Sequence, residues 1–253
     1  MNSEMFESTL PFGEPSLMRA SAYRRYLDQK EADAAPTGIS TRISSLSPSL
    51  RADLLRFELD GTGSEAVEVL AACVRHSKRV TIHFQCGAIV IPLTVFPHER
   101  LVHCPMDMDE LVAHHLPELR VMYVEPAMLP APLDDASAPG GHSPQHHPLA
   151  PLLWNLALRG LRSELLPEIA GPASYRVAPA LDIGRLPAPP VLLEMIYRMR
   201  EQSVHLRELS EWPGMDRERA IRLLNALYLQ AGLIVSRSHP DAISERWFGG
   251  EPR

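Results

Sequence analysis

The chain has 253 residues, 45% hydrophobic and 22% charged, which is the balance of a soluble globular protein with enough apolar side chain for two ordinary domains. A formal charge of −6 excludes a whole-chain affinity for phosphate backbones or anionic lipid, because both rely on a clustered positive field. Three cysteines without dense spacing, Cys73, Cys86 and Cys104, argue against a disulfide framework and for a reducing, cytoplasmic setting.

The first residues, "MNSEMFESTLPFGEPSLMR", carry acids where a secretory signal needs a basic start. Residues 1–50 are expected to be a flexible or loosely docked arm with one short helix near Ser16 to Lys30. In that helix Arg19, Tyr23, Arg24, Arg25 and Tyr26 read as a solvated face. A small α+β domain with a largely antiparallel sheet is expected over 51–126. Its first helix places Ala66, Val67, Leu70, Cys73 and Val74 on one face behind a Thr62 to Glu65 capping pattern.

The alternation in "VTIHFQC" then predicts a strand with Val80, Ile82, Phe84 and Cys86 inward. "AIVIPLTVF", Ala88 to Phe96, is the longest apolar run. Its nine residues fall far short of the roughly 20 that cross a membrane, and Pro92 marks an edge or a bulge. A short strand "LVHC", a helix "DMDELVAHHL" capped by Asp107 or Asp109, and a strand "LRVMYVEP" complete the domain. The short links between the first three strands require antiparallel pairing.

Residues 127–151 are rich in proline, contain a Gly pair and have little to bury, so they read as a linker. A helical and extended connector over 152–190 leads to the last domain, 191–253. There "PPVLLEMIYRMREQS" predicts a helix after its double proline, and "VHLRELSEW" a short second one. "PGM" breaks the chain, and Asp216 caps a third helix, "RERAIRLLNALYLQA", ended by Gly232. "LIVSRS" and "AISERWF" flank a tight turn at "HPD".

This order of helix, short helix, turn, longer helix and hairpin resembles the bacterial winged helix-turn-helix superfamily, over the C-terminal quarter only. The resemblance implies that the third helix presents an outward face of Glu218, Arg219, Arg222, Asn225, Ala226 and Leu229, with Arg237 and His239 in the wing. In DNA-reading members that helix enters the major groove, where Arg suits guanine and Asn suits adenine. Against this, Val191 to Arg253 holds nine Arg and no Lys against nine acidic residues, a neutral module where phosphate binding needs positive charge. A mixed basic and apolar stripe suits a protein surface better.

Cys86, His98, His103 and Cys104 are metal-ligand types, but no Cys pair has the spacing of a structural zinc site, and His142 to His147 lie in the linker. "DGTGSE" at Asp60 lacks the Lys of a phosphate loop, and Cys73 sits on an apolar helix face. No metal, cofactor or catalytic residue is assigned. The leading expectation is a non-enzymatic, bacterial-type cytoplasmic adaptor or regulatory protein. It would dock a protein partner through Arg219, Arg222, Asn225, Leu229, Arg237 and His239, away from any membrane, with the central domain free to bind a partner or form a homodimer. The alternative is a transcriptional regulator reading DNA with the same face.

Overall fold

Period-two alternation in 80–86 and the β-branched run after Gly87 generate a hairpin, because Gly87 adopts φ of 55° without steric cost. In the computed structural model, which describes residues 16–33, 46–50, 52–54, 65–130 and 145–237, this hairpin is the centre of a mixed α and β fold. The chain divides into two compact units between Arg162 and Ser163.

In the first unit, β1 (Met18–Arg19) leads into α1 (Ala20–Asp33), and α2 (Glu65–Arg75) precedes the hairpin strands β2 (Val80–Cys86) and β3 (Ile89–Phe96). β4 (Leu101–His103), β5 (Arg120–Pro126), β6 (His146–Pro148) and the helix α4 (Leu149–Arg159) follow. The sheet order is β5-β2-β3-β4-β6 with antiparallel pairing throughout. Pro92 lies inside β3 without breaking it. On the edge of β3 away from β2, β1 pairs with Ile89 and Val90 and β4 with Thr94 to Phe96, so Pro92 falls in the gap between them and costs that edge no ladder bond.

Register partners share a face. Ile82 opposite Leu93, Phe84 opposite Ile91 and Val80 opposite Val95 form a fully or almost fully buried layer. α2 and α4 contact the sheet and each other, and Leu70, Leu152, Trp154 and Leu156 are fully buried. At roughly 1.5–3 kcal/mol for each large side chain removed from water, this layer is the main stabilising element of the unit.

The other sheet face is covered as well. Ala20, Tyr23 and Leu27 of α1 pack on Val90 and Tyr123. The expected loose arm is therefore fixed to the sheet along α1: spacing of i, i+3 and i+7 makes an apolar stripe, and Tyr23 belongs to it while Arg24 and Arg25 stay exposed.

The expected linker is also shorter than residues 127–151. His146–Pro148 pair with β4, and α4 starts at Leu149, because the apolar residues from Leu149 onward have a sheet to bury against. Residues 131–144, with His142, lie outside the described residues, as do Asp60 to Ser64 of "DGTGSE", with the Thr62 cap, and Ala242 to Phe248.

Between β4 and β5, Asp107 caps a single α-helical turn, α3 (Met108–Glu110), by accepting a 2.9 Å bond from the Glu110 N–H. The backbone then widens into a π-helical stretch, Leu111–His115, and tightens into a 3-10 turn, Leu116–Glu118. The single amphipathic helix expected here is thus three short geometries in series. Among the described residues no helix is long and apolar enough to cross a membrane.

In the second unit β7 (Ser174–Val177), α5 (Pro190–Glu201), β8 (Val204–His205), α6 (Leu206–Ser210), α7 (Arg217–Leu229) and β9 (Leu233–Ser236) succeed one another. The sheet order is β8-β7-β9, so the middle strand comes from before α5, out of the expected connector. α7 does not end in a left-handed glycine. Ala231 takes φ of 54°, while a Cβ on Gly232 would lie 2.8 Å from the Leu181 methyl groups. Ala231→Gly removes the left-handed penalty of an L residue, and urea unfolding is expected to show a gain of about 0.5–1 kcal/mol.

Candidate functional site

The turn between α6 and α7 is set by two local features. Gly214 has φ of 79° and an added Cβ would lie 3.0 Å from Val191, and Asp216 caps α7 by accepting a 2.8 Å bond from the Arg219 N–H. This places the expected recognition helix with its first turn at the surface. The guanidinium of Arg219 is exposed and donates to the Gly214 carbonyl at 2.9 Å. Arg222, one turn on, is partly exposed and forms a 2.6 Å ion pair with Glu218.

Beyond Arg222 the expected outward face turns inward. Asn225 is only 1% exposed: its side-chain oxygen accepts from the Leu166 N–H at 2.9 Å and its amide donates to the Glu164 carbonyl at 3.0 Å. Ala226 and Leu229 are buried too. The stripe Arg219, Arg222, Asn225, Leu229 is therefore corrected to an exposed first turn and a covered remainder.

Arg237 is exposed, but its guanidinium clamps the chain before β7, donating to the carbonyls of Glu168 and Ala170 at 2.7 and 3.2 Å. His239 lies outside the described residues. The burial of this face was legible in the composition of α7. Positions 220, 221, 223, 224, 226, 227 and 229 are all apolar, and a helix apolar nearly all round is buried nearly all round.

What this unit leaves open lies elsewhere. Val191, Glu194, Tyr197, Arg198 and Glu201 are the exposed positions on one side of α5, and Tyr197 is 55% exposed. Arg198 lies over the Trp212 ring at 3.9 Å, a cation–π contact that holds the guanidinium beside α6. Arg207 and Glu211 on and after α6, and Arg217 on α7, are exposed nearby in sequence.

The first unit holds two polar groupings. Under α1, His83 stacks on Tyr23 with centroids 4.8 Å apart, and its Nε2 lies 2.9 Å from Glu125 Oε1. With Arg24 donating to Gln85 at 2.8 Å, these contacts hold α1 on the sheet. The four residues of metal-ligand type noted in the sequence do not converge. Cys86 ends β2, His98 lies in the turn after β3, and His103 pairs with Gln145 at 2.7 Å beside Cys104. Among the described residues one group of three side chains of metal-ligand type does converge, Cys86 with His115 and Glu118, and no spacing in the sequence signals it.

Burial pushes the Cys73 thiol up to about 12 and the Cys104 thiol up to about 11; burial and then the Glu118 carboxylate push Cys86 up to about 11. All three thiols are free and buried, and these shifts disfavour the thiolate that nucleophilic chemistry needs. No protein-family model, curated protein or solved structure matches this chain.

Proposed function

We propose that the chain is a non-enzymatic adaptor or regulatory protein whose C-terminal unit is a winged-helix type of module that docks a protein partner. The succession of α5, β8, α6, a glycine turn, a capped α7 and β9 supports the winged-helix reading. The use of β7 as middle strand is its departure from the simple hairpin arrangement.

The observation that carries docking over DNA reading is the commitment of the base-reading groups to the unit itself. Asn225 is spent on two backbone groups, Arg222 on Glu218, Arg219 on Gly214 and Arg237 on two carbonyls. A groove reader needs such donors free to meet base edges. The exposed side of α5, with Tyr197 and Val191 among charges of both signs, has the composition of a protein interface, where tyrosine is enriched and net charge is small.

The expected result is that a protein co-purifies with the full chain in fixed proportion from native lysate, and that Tyr197→Asp abolishes the association while leaving the unfolding curve unchanged. Undiminished association of the variant overturns the assignment to this face. Salt-sensitive binding of duplex DNA that is lost in Arg219→Ala overturns the docking reading altogether.

A further inference from the structure

We propose that Cys86, His115 and Glu118 form a binding site for a divalent transition-metal ion of the zinc class. The three side chains come from two places in the chain. Cys86 is the last residue of β2, just before the Gly87 turn, while His115 ends the π-helical stretch and Glu118 ends the 3-10 turn that follows it. Wide π-type turns are enriched at functional sites, and here the irregular backbone brings an imidazole and a carboxylate onto the same thiol.

The donor atoms are close to the spacing an ion requires. Cys86 Sγ lies 3.6 Å from Glu118 Oε2, His115 Nδ1 lies 3.9 Å from the same oxygen, and all three ligand atoms fall within 4.8 Å of one another. A tetrahedral zinc ion, with bonds of about 2.3 Å to sulfur and about 2.0–2.1 Å to nitrogen and oxygen, holds its donors roughly 3.3–3.6 Å apart. The thiol and carboxylate already match, whereas the imidazole has to swing inward, by about half an ångström toward the carboxylate oxygen and by up to roughly 1.2 Å toward the sulfur.

The polar accounting points the same way. His115 Nδ1 is shielded from solvent and makes no hydrogen bond among the described residues, and at 3.9 Å the carboxylate is beyond hydrogen-bond reach. A bound ion gives that nitrogen the partner it lacks. It also replaces the thiol proton that now points at Glu118, and that proton leaves to solvent.

Thiolate, imidazole and carboxylate together suit zinc and its borderline neighbours rather than calcium or magnesium, which take oxygen donors. Glu118 is 60% exposed on its side chain, so a fourth position is open to water. The ion would tie the β2–β3 turn to the π-helical segment, independently of the docking proposed for the second unit.

The test is titration of the full, chelator-treated chain with Co2+, followed by competition with Zn2+. One Co2+ per chain is expected, with a near-ultraviolet thiolate charge-transfer band and visible tetrahedral bands. Cys86→Ser should lose the thiolate band, and His115→Ala and Glu118→Gln should each weaken binding about tenfold or more. Glu118→Gln is at an exposed position, so its result stands even if the Cys86 variant folds poorly. A His142→Ala/His147→Ala chain should bind as the parent does. Absence of uptake at micromolar Co2+ overturns the proposal. So does parental affinity in both the His115 and Glu118 variants, or loss of uptake in the His142/His147 variant, which would place the ion on the histidine tract.

Discussion

Asn225→Ala should destabilise the C-terminal unit by about 2–4 kcal/mol, read as a shift of the urea midpoint at constant slope. The side chain joins α7 to the segment before β7 by two bonds, one accepted from the Leu166 N–H and one donated to the Glu164 carbonyl, at a position sealed from water. Truncation removes both bonds and leaves a buried amide N–H with no acceptor, and the loss of a buried partner costs more than the bond was worth in net terms. Asn225→Asp should fare no better, because a carboxylate can accept from Leu166 but offers no donor to Glu164. If Asn225 instead faced solvent as a reader of bases, Asn225→Ala would be close to neutral for stability, so the measurement decides between the two placements.

The second large effect is expected in the first unit, at the ion pair between Glu68 on α2 and Arg162. Their side chains are 4% and 9% exposed, and the pair bridges the helix beneath the sheet to the end of the segment after α4. Arg162→Ala should cost about 3–5 kcal/mol in chemical denaturation, since it removes the cation that faces a carboxylate only 4% exposed. Replacing both partners, Glu68→Leu with Arg162→Met, should recover most of that loss, because two apolar side chains of similar volume carry no desolvation penalty. A double variant no better than the single one would show that the pair is held by more than mutual compensation.

Strong periodic signals translated into structure. "VTIHFQC" became β2 with the inward set expected, the double proline opened α5, and Asp107 and Asp216 cap the helices they precede. Antiparallel pairing followed from link length. What failed were inferences about which face is free. Tyr23 reads as part of a solvated helix face until β3 and β5 supply Val90 and Tyr123 for it to meet, and Asn225 reads as a recognition residue until Glu164 and Leu166 lie across it.

Those partners are remote in sequence, so no window of local pattern could contain them. The Cys86, His115 and Glu118 group was invisible for the same reason: its members are spread over thirty-odd residues and three kinds of backbone, without the paired spacing by which metal sites are ordinarily read. The apolar circumference of α7 was the one available warning, and it concerned burial rather than binding.

The origin of β7 bears on how the second unit comes into being. Ser174 pairs with Ser236 and Val177 with Leu233, so among the described residues the first and last strands of this unit are neighbours in the sheet. During synthesis β7 and its partner on one side, β8, emerge early, but the other edge of β7 waits until three helices have been made. Such a closure brings distant ends together at an entropic cost that local pairing never meets. A nascent chain halted before Leu233 holds an unfinished sheet with β7 open along one side, the kind of strand edge that invites association with other chains.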